Sequence, residues 1–495
     1  MADSSSSAFK KHIENVTKEI FLNAMVCPKL GWLIRSEKIP IFPSLGDTFR
    51  TIQGNEIEKR ARLLYPEGLL IKERDTLLAS NKTRDVINNT KMPVIFQATF
   101  SKNHYVARAD MLKRNGNQWA LIEVKSAIKD KKEFIDDMAY TLMVIEECGL
   151  RISTITLLLV SKNYRLGMDS EKFFESVDHT NEVRNRKENF KQFWTIIENI
   201  TKRPIRPEGN PLFECKKCKL LKECLEKKIE GTIFQLPRLT KPKFEKLTKL
   251  GVVNIEDIPN DFPLTGYQEI VKICHKTGKP YVSDKLKQEL TTIRWPAFYL
   301  DFETIMTAVP LYSNVAPYTK IPTQYSIHKC SKPGEVLFHR EFISEPKQDS
   351  RKKLTEHLVQ DLEQEGSIIV YSDFEQTIIH NLSKTFPEYS NYLEELAGRL
   401  VDLEKIIRYN FYHPEFHGST SIKKTLPALV PGMSYDSLKI ADGDTAMATY
   451  GFMALGSYEG NDVKTLQEKL LKYCEMDTLA TVKLHQELLK YAQAQ

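Results

Sequence analysis

The chain has 495 residues, of which 41% are hydrophobic and 27% charged, and 71 Lys and Arg against 65 Asp and Glu leave a net charge of +6. This length exceeds the roughly 250–300 residues over which one hydrophobic core can grow, so two large domains and a connector are expected. The composition excludes collagen-like, low-complexity and wholly disordered chains. The most apolar stretch, Ile155 to Val160, is of strand length, where a membrane-spanning helix needs about 20 residues.

The N-terminus is Ser-rich without an apolar core, so no secretory signal is read and a cytoplasmic location is expected. In that reducing compartment the eight cysteines are expected as thiols or metal ligands rather than a disulfide framework. Residues 1–9 read as a tail. Apolar spacing then predicts helices over Phe9 to Leu33 and Gly54 to Leu64, and strands over Met92 to Thr99, Ala107 to Lys113 and Trp119 to Lys125. Arg114-Asn115-Gly116-Asn117 between the last two strands is a hairpin turn signal. An amphipathic helix over Phe134 to Cys148, ended by Gly149, and a strand over Ile152 to Ser161 follow. Pro204 to Pro211 interrupts the pattern, and residues 201–250 hold 14 Lys and Arg against six Glu. Such a basic stretch is either a solvated linker face or a surface that neutralises phosphates, and binding of the second kind would weaken steeply with added salt. A short helical connector spans residues 233–292, in which Lys249 to Ile255 resembles the turn of a helix-hairpin-helix, and a second α/β unit covers 293–495.

The first candidate site lies on the predicted hairpin. Glu123 and Lys125 are two residues apart on one strand and point to one face, while Asp110 enters from the paired strand. Two carboxylates so placed can hold Mg²⁺ or Mn²⁺, and the lysine can orient water and stabilise developing phosphate charge. Here the chain resembles the PD-(D/E)XK nucleases, with Ala109 where their proline stands. Cys27, followed much later by Cys215, Cys218 and Cys224, is similar to the arrangement in RecB-type exonucleases with an iron–sulfur staple. The resemblance implies that these four hold a [4Fe–4S] cluster joining the two ends of a domain over residues 10–232. Four thiolates suit Zn²⁺ as well. Cys148, Cys274, Cys330 and Cys474 are expected as buried bystanders. Where those nucleases carry a histidine on an early helix this chain has Glu56 and Glu58, about 200° apart around a helix, so that one can face the metals. Thr141 takes the place of a glutamine on the later helix.

The second candidate site starts from Asp301 and Glu303, again two apart on an apolar strand, Phe298 to Thr304. Tyr473 and Asp477 are one helical turn apart. Between them, a strand over Ser367 to Tyr371 leads to Ser372-Asp373-Phe374-Glu375 opening a helix. Carboxylates converging from a strand and two helices make a two-metal site for phosphodiester cleavage. This half resembles DEDD exonucleases of the ribonuclease H-like fold, in the subtype with tyrosine before the last aspartate. The resemblance makes Asp301, Glu303, Glu375 and Asp477 metal ligands and Tyr473 the group that orients water. Asp373 is a rival to Glu375 and a candidate helix N-cap, and Asp402 matches a supporting aspartate.

From about residue 20 onwards, including Phe416 to Pro427 and Asp442-Gly443, the chain resembles a bacterial family joining a RecB-like half to a DEDD-like half. The expectation is an α/β protein with a restriction-endonuclease-like N-terminal domain and a ribonuclease H-like C-terminal domain. It would be a metal-dependent nuclease on DNA, with RNA possible at the second site, acting in nucleic-acid processing, repair or anti-phage defence, with partner proteins of such a complex and no membrane association. Two alternatives stand: a nucleic-acid-binding subunit of a defence or repair complex with one nuclease fold degenerate, and an RNA-processing exonuclease.

Overall fold

A computed structural model describes residues 14–36, 43–88, 91–218, 220–225 and 229–494. The predicted tail over 1–9 and the first residues of the helix predicted from Phe9 lie outside them. The chain is mixed α/β and forms two compact units, Met1–Asn210 with Thr307–Thr319, and Pro211–Met306 with Lys320–Gln495.

In the first unit, α1 (Lys18–Val26) and α2 (Pro28–Arg35) meet at Cys27, which closes one helix and precedes the proline that opens the next. The long helix α3 (Leu45–Arg62) begins in a capping box, Ser44 with Asp47. β1 (Leu69–Leu70), α4 (Thr76–Asn88), β2 (Val94–Lys102), β3 (Tyr105–Asn115) and β4 (Gln118–Lys125) follow, then α5 (Lys132–Glu147), β5 (Ile152–Val160), β6 (Phe174–Asp178), α6 (Thr180–Lys191) and α7 (Trp194–Thr201). Six strands pair in chain order. β2, β3 and β4 form an antiparallel meander, and β5 returns parallel to β4 after the α5 crossover. Gly116 takes φ +59 in the β3–β4 turn, a conformation that glycine adopts without steric penalty.

Both faces of this sheet are covered. Leu121, Phe21, Tyr140 and Phe190 belong to one apolar cluster, and Ile122, Val124, Ile57 and Phe173 to another. Ala308 lies in the second cluster and is fully buried. Its N–H donates to Gln53 Oε1 at 2.5 Å, and the Tyr318 hydroxyl lies 2.6 Å from Ser126 Oγ and 2.5 Å from the Ser126 carbonyl. From the sequence, Ala308 and Tyr318 are expected in the C-terminal domain over 293–495, with the N-terminal domain ending at 232. The compact units divide at Asn210 and Pro211, and 307–319 packs with the first unit. The reason is packing between residues far apart in the chain, which leaves no local pattern. Tyr318→Phe is expected to lower the first unit's stability by about 1 kcal/mol through loss of the half-buried hydroxyl's hydrogen bonds to Ser126. Urea unfolding followed by hydrogen exchange in 307–319 checks it, and unchanged protection there would refute the assignment of that segment.

The second unit opens with α8 (Leu221–Cys224), α9 (Lys241–Lys249), α10 (Gly266–Thr277), β7 (Tyr281–Val282) and α11 (Leu286–Thr291). Its sheet holds β8 (Ala297–Ile305), β9 (Ile321–Lys332) and β10 (Glu335–Ile343), then, after α12 (Arg351–Asp361), β11 (Ile368–Val370). After α13 (Phe374–Thr385) and α14 (Ser390–Gly398) comes β12 (Leu400–Asp402), leading into α15 (Leu403–Asn410), β13 (Phe411–Tyr412), α16 (Ile422–Leu429), α17 (Gly443–Ala454) and α18 (Asn461–Gln493). The order across the sheet is β10-β9-β8-β11-β12. β8, β9 and β10 pair antiparallel, while β11 and β12 run parallel to β8. Phe298, Leu300 and Phe302 pack into the core with Tyr325, Leu354 and Ile378. Strand alternation therefore turns Asp301 and Glu303 away from that core, toward α18.

Candidate functional site

Each unit carries a cluster of acids at the place where its sheet meets a helix. In the first unit, Asp110 on β3 accepts from the Val124 N–H at 2.9 Å. Glu123 on β4 is buried, and its Oε1 accepts from Lys125 Nζ at 3.0 Å and from Lys18 Nζ at 2.9 Å. Lys125 also donates to Asp137 Oδ2 on α5 at 2.5 Å. Glu58 on α3 joins through Gln97, whose amide nitrogen donates to Glu58 Oε2 at 3.0 Å and to Asp110 Oδ1 at 3.2 Å. Glu56 points elsewhere and pairs with Arg60, so of the two helix glutamates Glu58 is the one brought to Asp110. Gln97 takes φ +55 inside β2, a left-handed conformation that is uncommon for a residue with a side chain and that clusters at functional sites.

The electrostatics of this site divide its two central acids. Desolvation, reinforced by the neighbouring Glu123, holds the Asp110 carboxyl above the ordinary range. Desolvation pushes Glu123 the same way, but Lys18 and Lys125 outweigh it and hold that carboxyl ionised. Desolvation likewise raises Glu58. Glu123 Oε2 is buried and, among the described residues, has no hydrogen-bond partner, which leaves a lone carboxylate oxygen for a cation. Thr141 on α5 is buried, and its hydroxyl bonds back to the Asp137 carbonyl at 3.0 Å.

In the second unit, Asp301 and Glu303 on β8 and Asp477 on α18 each present a carboxylate oxygen within 4.8 Å of the other two. Tyr473, one turn before Asp477, is buried and its hydroxyl donates to Asp477. Glu375, in the first turn of α13, is buried and accepts from Ser372 Oγ at 3.1 Å. It lies outside the tight trio, yet its charge acts on both Asp301 and Glu303. Asp373 occupies the N-cap position of α13 without a side-chain cap bond. Asp402 caps α15 by accepting from the Lys405 N–H at 3.0 Å, and its charge acts on Glu375.

Desolvation first, then mutual repulsion, raises Asp301 and Glu303 well above the ordinary carboxylate range. Desolvation pushes Glu375 up to about 7 and Asp477 up to about 6. Lys423 is the cation that opposes this on Glu303 and Asp477. A set of oxygen donors that repel one another when ionised is what a hard divalent ion would offset, so the residues present fit Mg²⁺ or Mn²⁺.

Several contacting residues have no marker in the sequence. Lys18 and Gln97 at the first site, and Lys423 and Tyr435 at the second, reach it from distant parts of the chain. The Tyr435 hydroxyl donates to Asp477 Oδ1 at 2.5 Å. Cys474, expected as a bystander, is buried, and its sulfur lies 3.4 Å from Asp301 Oδ2. Its place next to Tyr473 was the one available hint.

The cysteine quartet is divided. Cys27 falls in the first unit and Cys215, Cys218 and Cys224 in the second, all as free thiols. Cys215 lies in a short turn, Phe213–Lys217, where its sulfur accepts from the Leu212 N–H at 3.3 Å, and Cys224 ends α8. Among the described residues, two groups of three potential ligands close to within 4.8 Å, and neither contains a cysteine.

Residues 298–421 match a family described as a domain of unknown function, DUF2779. That span includes Asp301, Glu303 and Glu375 and ends before Tyr473 and Asp477. The chain is also similar to the uncharacterized protein MG366 of Mycoplasma genitalium, at 24% identity over 225 residues, 41% of this chain and 33% of the relative. The MG366 homolog of Mycoplasma pneumoniae is 26% identical over 220 residues, with the same shares. The chain thus spans about a third of the length of these curated relatives.

Proposed function

We propose that the chain is a metal-dependent nuclease with two phosphodiester-cleaving sites, acting on DNA and, at the second site, on DNA or RNA. The observation that carries this is the convergence of Asp301, Glu303 and Asp477 to within 4.8 Å beside Tyr473. Strand order supports the fold readings. Three antiparallel strands followed by two that run parallel to the first, in the order 3-2-1-4-5, fit a ribonuclease H-like domain. A helix, an antiparallel meander, a crossover helix and a parallel strand fit a PD-(D/E)XK core.

In this reading Asp110, Glu123 and Glu58 hold a cation in the first unit, and Asp301, Glu303, Asp477 and the nearby Glu375 do so in the second. Bound Mg²⁺ or Mn²⁺ would supply Lewis acidity toward a phosphoryl oxygen and a more acidic water. Lys125, anchored by Glu123 and Asp137, offers a fixed positive charge to a phosphate. Tyr473 and Tyr435 orient Asp477, and their phenols stay protonated because desolvation raises both. The basic stretch over 201–250 contacts the nucleic-acid backbone. Cys27, Cys215, Cys218 and Cys224 are ligands of a [4Fe–4S] cluster or, alternatively, of Zn²⁺. Colour and metal content of anaerobically purified parent and Cys215→Ser protein decide between them, and a colourless parent that loses a zinc equivalent on Cys215→Ser would exclude the cluster.

One observation favours a second reading for the first unit. Lys18 and Lys125 already neutralise Glu123, and Asp110 is held toward its protonated form. A site balanced from within in this way suits a nucleic-acid-binding fold that has lost cleavage. Asp110→Asn and Asp301→Asn, assayed separately on single- and double-stranded DNA and on RNA with Mg²⁺ or Mn²⁺, test both. Two active sites predict a distinct loss for each variant; a loss confined to Asp301→Asn supports the binding role for the first unit. Degradation unchanged in both variants refutes the nuclease proposal.

A further inference from the structure

The second unit holds another group of metal-type donors, which none of the chemistry above uses. His328 on β9 and His339 on β10 are direct cross-strand partners, and their rings stack with centroids 4.5 Å apart. Glu475 on α18 completes the group, and all three side chains offer donor atoms within 4.8 Å of one another. Alternation explains the placement, because Phe338 and Phe342 on β10 enter the core on the opposite face. Glu475 and Thr478 lie three residues apart on α18 and share the helix face turned toward this pair.

A hydroxyl relay orients both rings. His328 Nδ1 lies 2.8 Å from Thr478 Oγ1, which is 2.8 Å from Ser326 Oγ, which in turn is 2.9 Å from His339 Nε2. An imidazole that ligates a metal through one nitrogen is held by a hydrogen bond at the other, and this relay supplies such a bond to each ring. Glu341, two residues from His339 on the same strand face, lies 3.9 Å from His339 Nε2 and is close enough to Glu475 for their charges to interact. Two imidazoles with one or two carboxylates suit a borderline first-row dication such as Zn²⁺, whereas Mg²⁺ and Ca²⁺ take all-oxygen sets.

We propose that His328, His339 and Glu475, with Glu341 beside them, bind a transition-metal dication of the zinc class at a site separate from Asp301, Glu303 and Asp477. The ion would clamp α18 to the β9–β10 hairpin, and so steady the helix on which Tyr473 and Asp477 stand. This site does not depend on the nuclease reading.

Full-length protein stripped with chelator and titrated with ZnCl₂ by equilibrium dialysis tests the proposal. His339→Asn and Glu475→Gln, both half-exposed positions, are expected to lose one zinc equivalent or to weaken its binding on the order of 100-fold. Asp301→Asn and Cys215→Ser should keep that equivalent. Zinc uptake identical in parent, His339→Asn and Glu475→Gln would overturn the site, as would loss confined to the Asp301 or Cys215 variant. A measurement on the parent alone guards against a variant that misfolds. X-ray absorption at the zinc edge should show imidazole scattering, and a first shell of sulfur or oxygen without it would also overturn the proposal.

Discussion

Asp301→Asn is expected to abolish cleavage at the second site and, in chelator-treated protein, to raise thermal stability. Its carboxylate lies against those of Glu303 and Asp477, with Glu375 nearby, and removing one charge from a site that depends on fixed charge placement lowers turnover by at least about 10³-fold. The same repulsion destabilises the metal-free fold, so its relief should add roughly 1–2 kcal/mol. The sign with pH follows from the raised carboxyls. Groups held higher in the folded than in the unfolded state contribute fully below their unfolded values, near 4. For Asp301, held well above the ordinary carboxylate range, that contribution is lost as pH rises toward its folded value, and the asparagine variant carries no such group. The difference in melting temperature between variant and parent should therefore widen from pH 5 to pH 8 in chelator, and added Mg²⁺ should shrink it. A difference that stays flat with pH would show that the carboxylates do not repel one another in the fold.

Lys125→Met is expected to damage the first unit in two ways. Lys125 ties Glu123 on β4 to Asp137 on α5, and its removal leaves Asp137 without that partner while Glu123 keeps Lys18. Breaking a buried pair costs about 3–5 kcal/mol. Lys125 and Asp137 are partly solvated, at 21% and 24% side-chain exposure, so a loss of about 2 kcal/mol from the first unit is expected after screening. Any cleavage by this unit should fall on the order of 10²–10³-fold, because the fixed cation facing the phosphate is gone. Lys18→Met, with Lys125 left in place, separates charge neutralisation from catalysis. It should weaken stability with a smaller effect on turnover. Equal losses of turnover in the two lysine variants would contradict the role given to Lys125.

Much of each site was legible because strand and helix periods are local. The alternation of Leu121, Glu123 and Lys125 with Ile122 and Val124 placed two charged residues on one face, and β4 has that geometry, with Ile122 and Val124 in the opposite core. Helical spacing put Tyr473 beside Asp477. Asn115-Gly116 marked the turn that sets Asp110 on the strand paired with β4. The long predicted helix from Phe9 is instead two helices broken at Cys27, since a proline at residue 28 opens a helix more readily than it continues one.

What was not legible depends on contacts between residues far apart in the chain. Lys18 lies 105 residues from Glu123, and Tyr435 lies 42 from Asp477; a lysine or tyrosine in a helix or loop carries no sign of such a partner. The pairing of His328 with His339 needed the β9–β10 register, and Glu475 reached them only through the packing of α18. The sequence alone determined which acids share an element face, because a period of two or of 3.6 residues requires only the local backbone. The tertiary structure alone decided how deeply those acids are desolvated, which lysines offset them, and that 307–319 packs with the first unit. Each of these is set by long-range burial, and burial is a property of the assembled core rather than of any stretch of sequence.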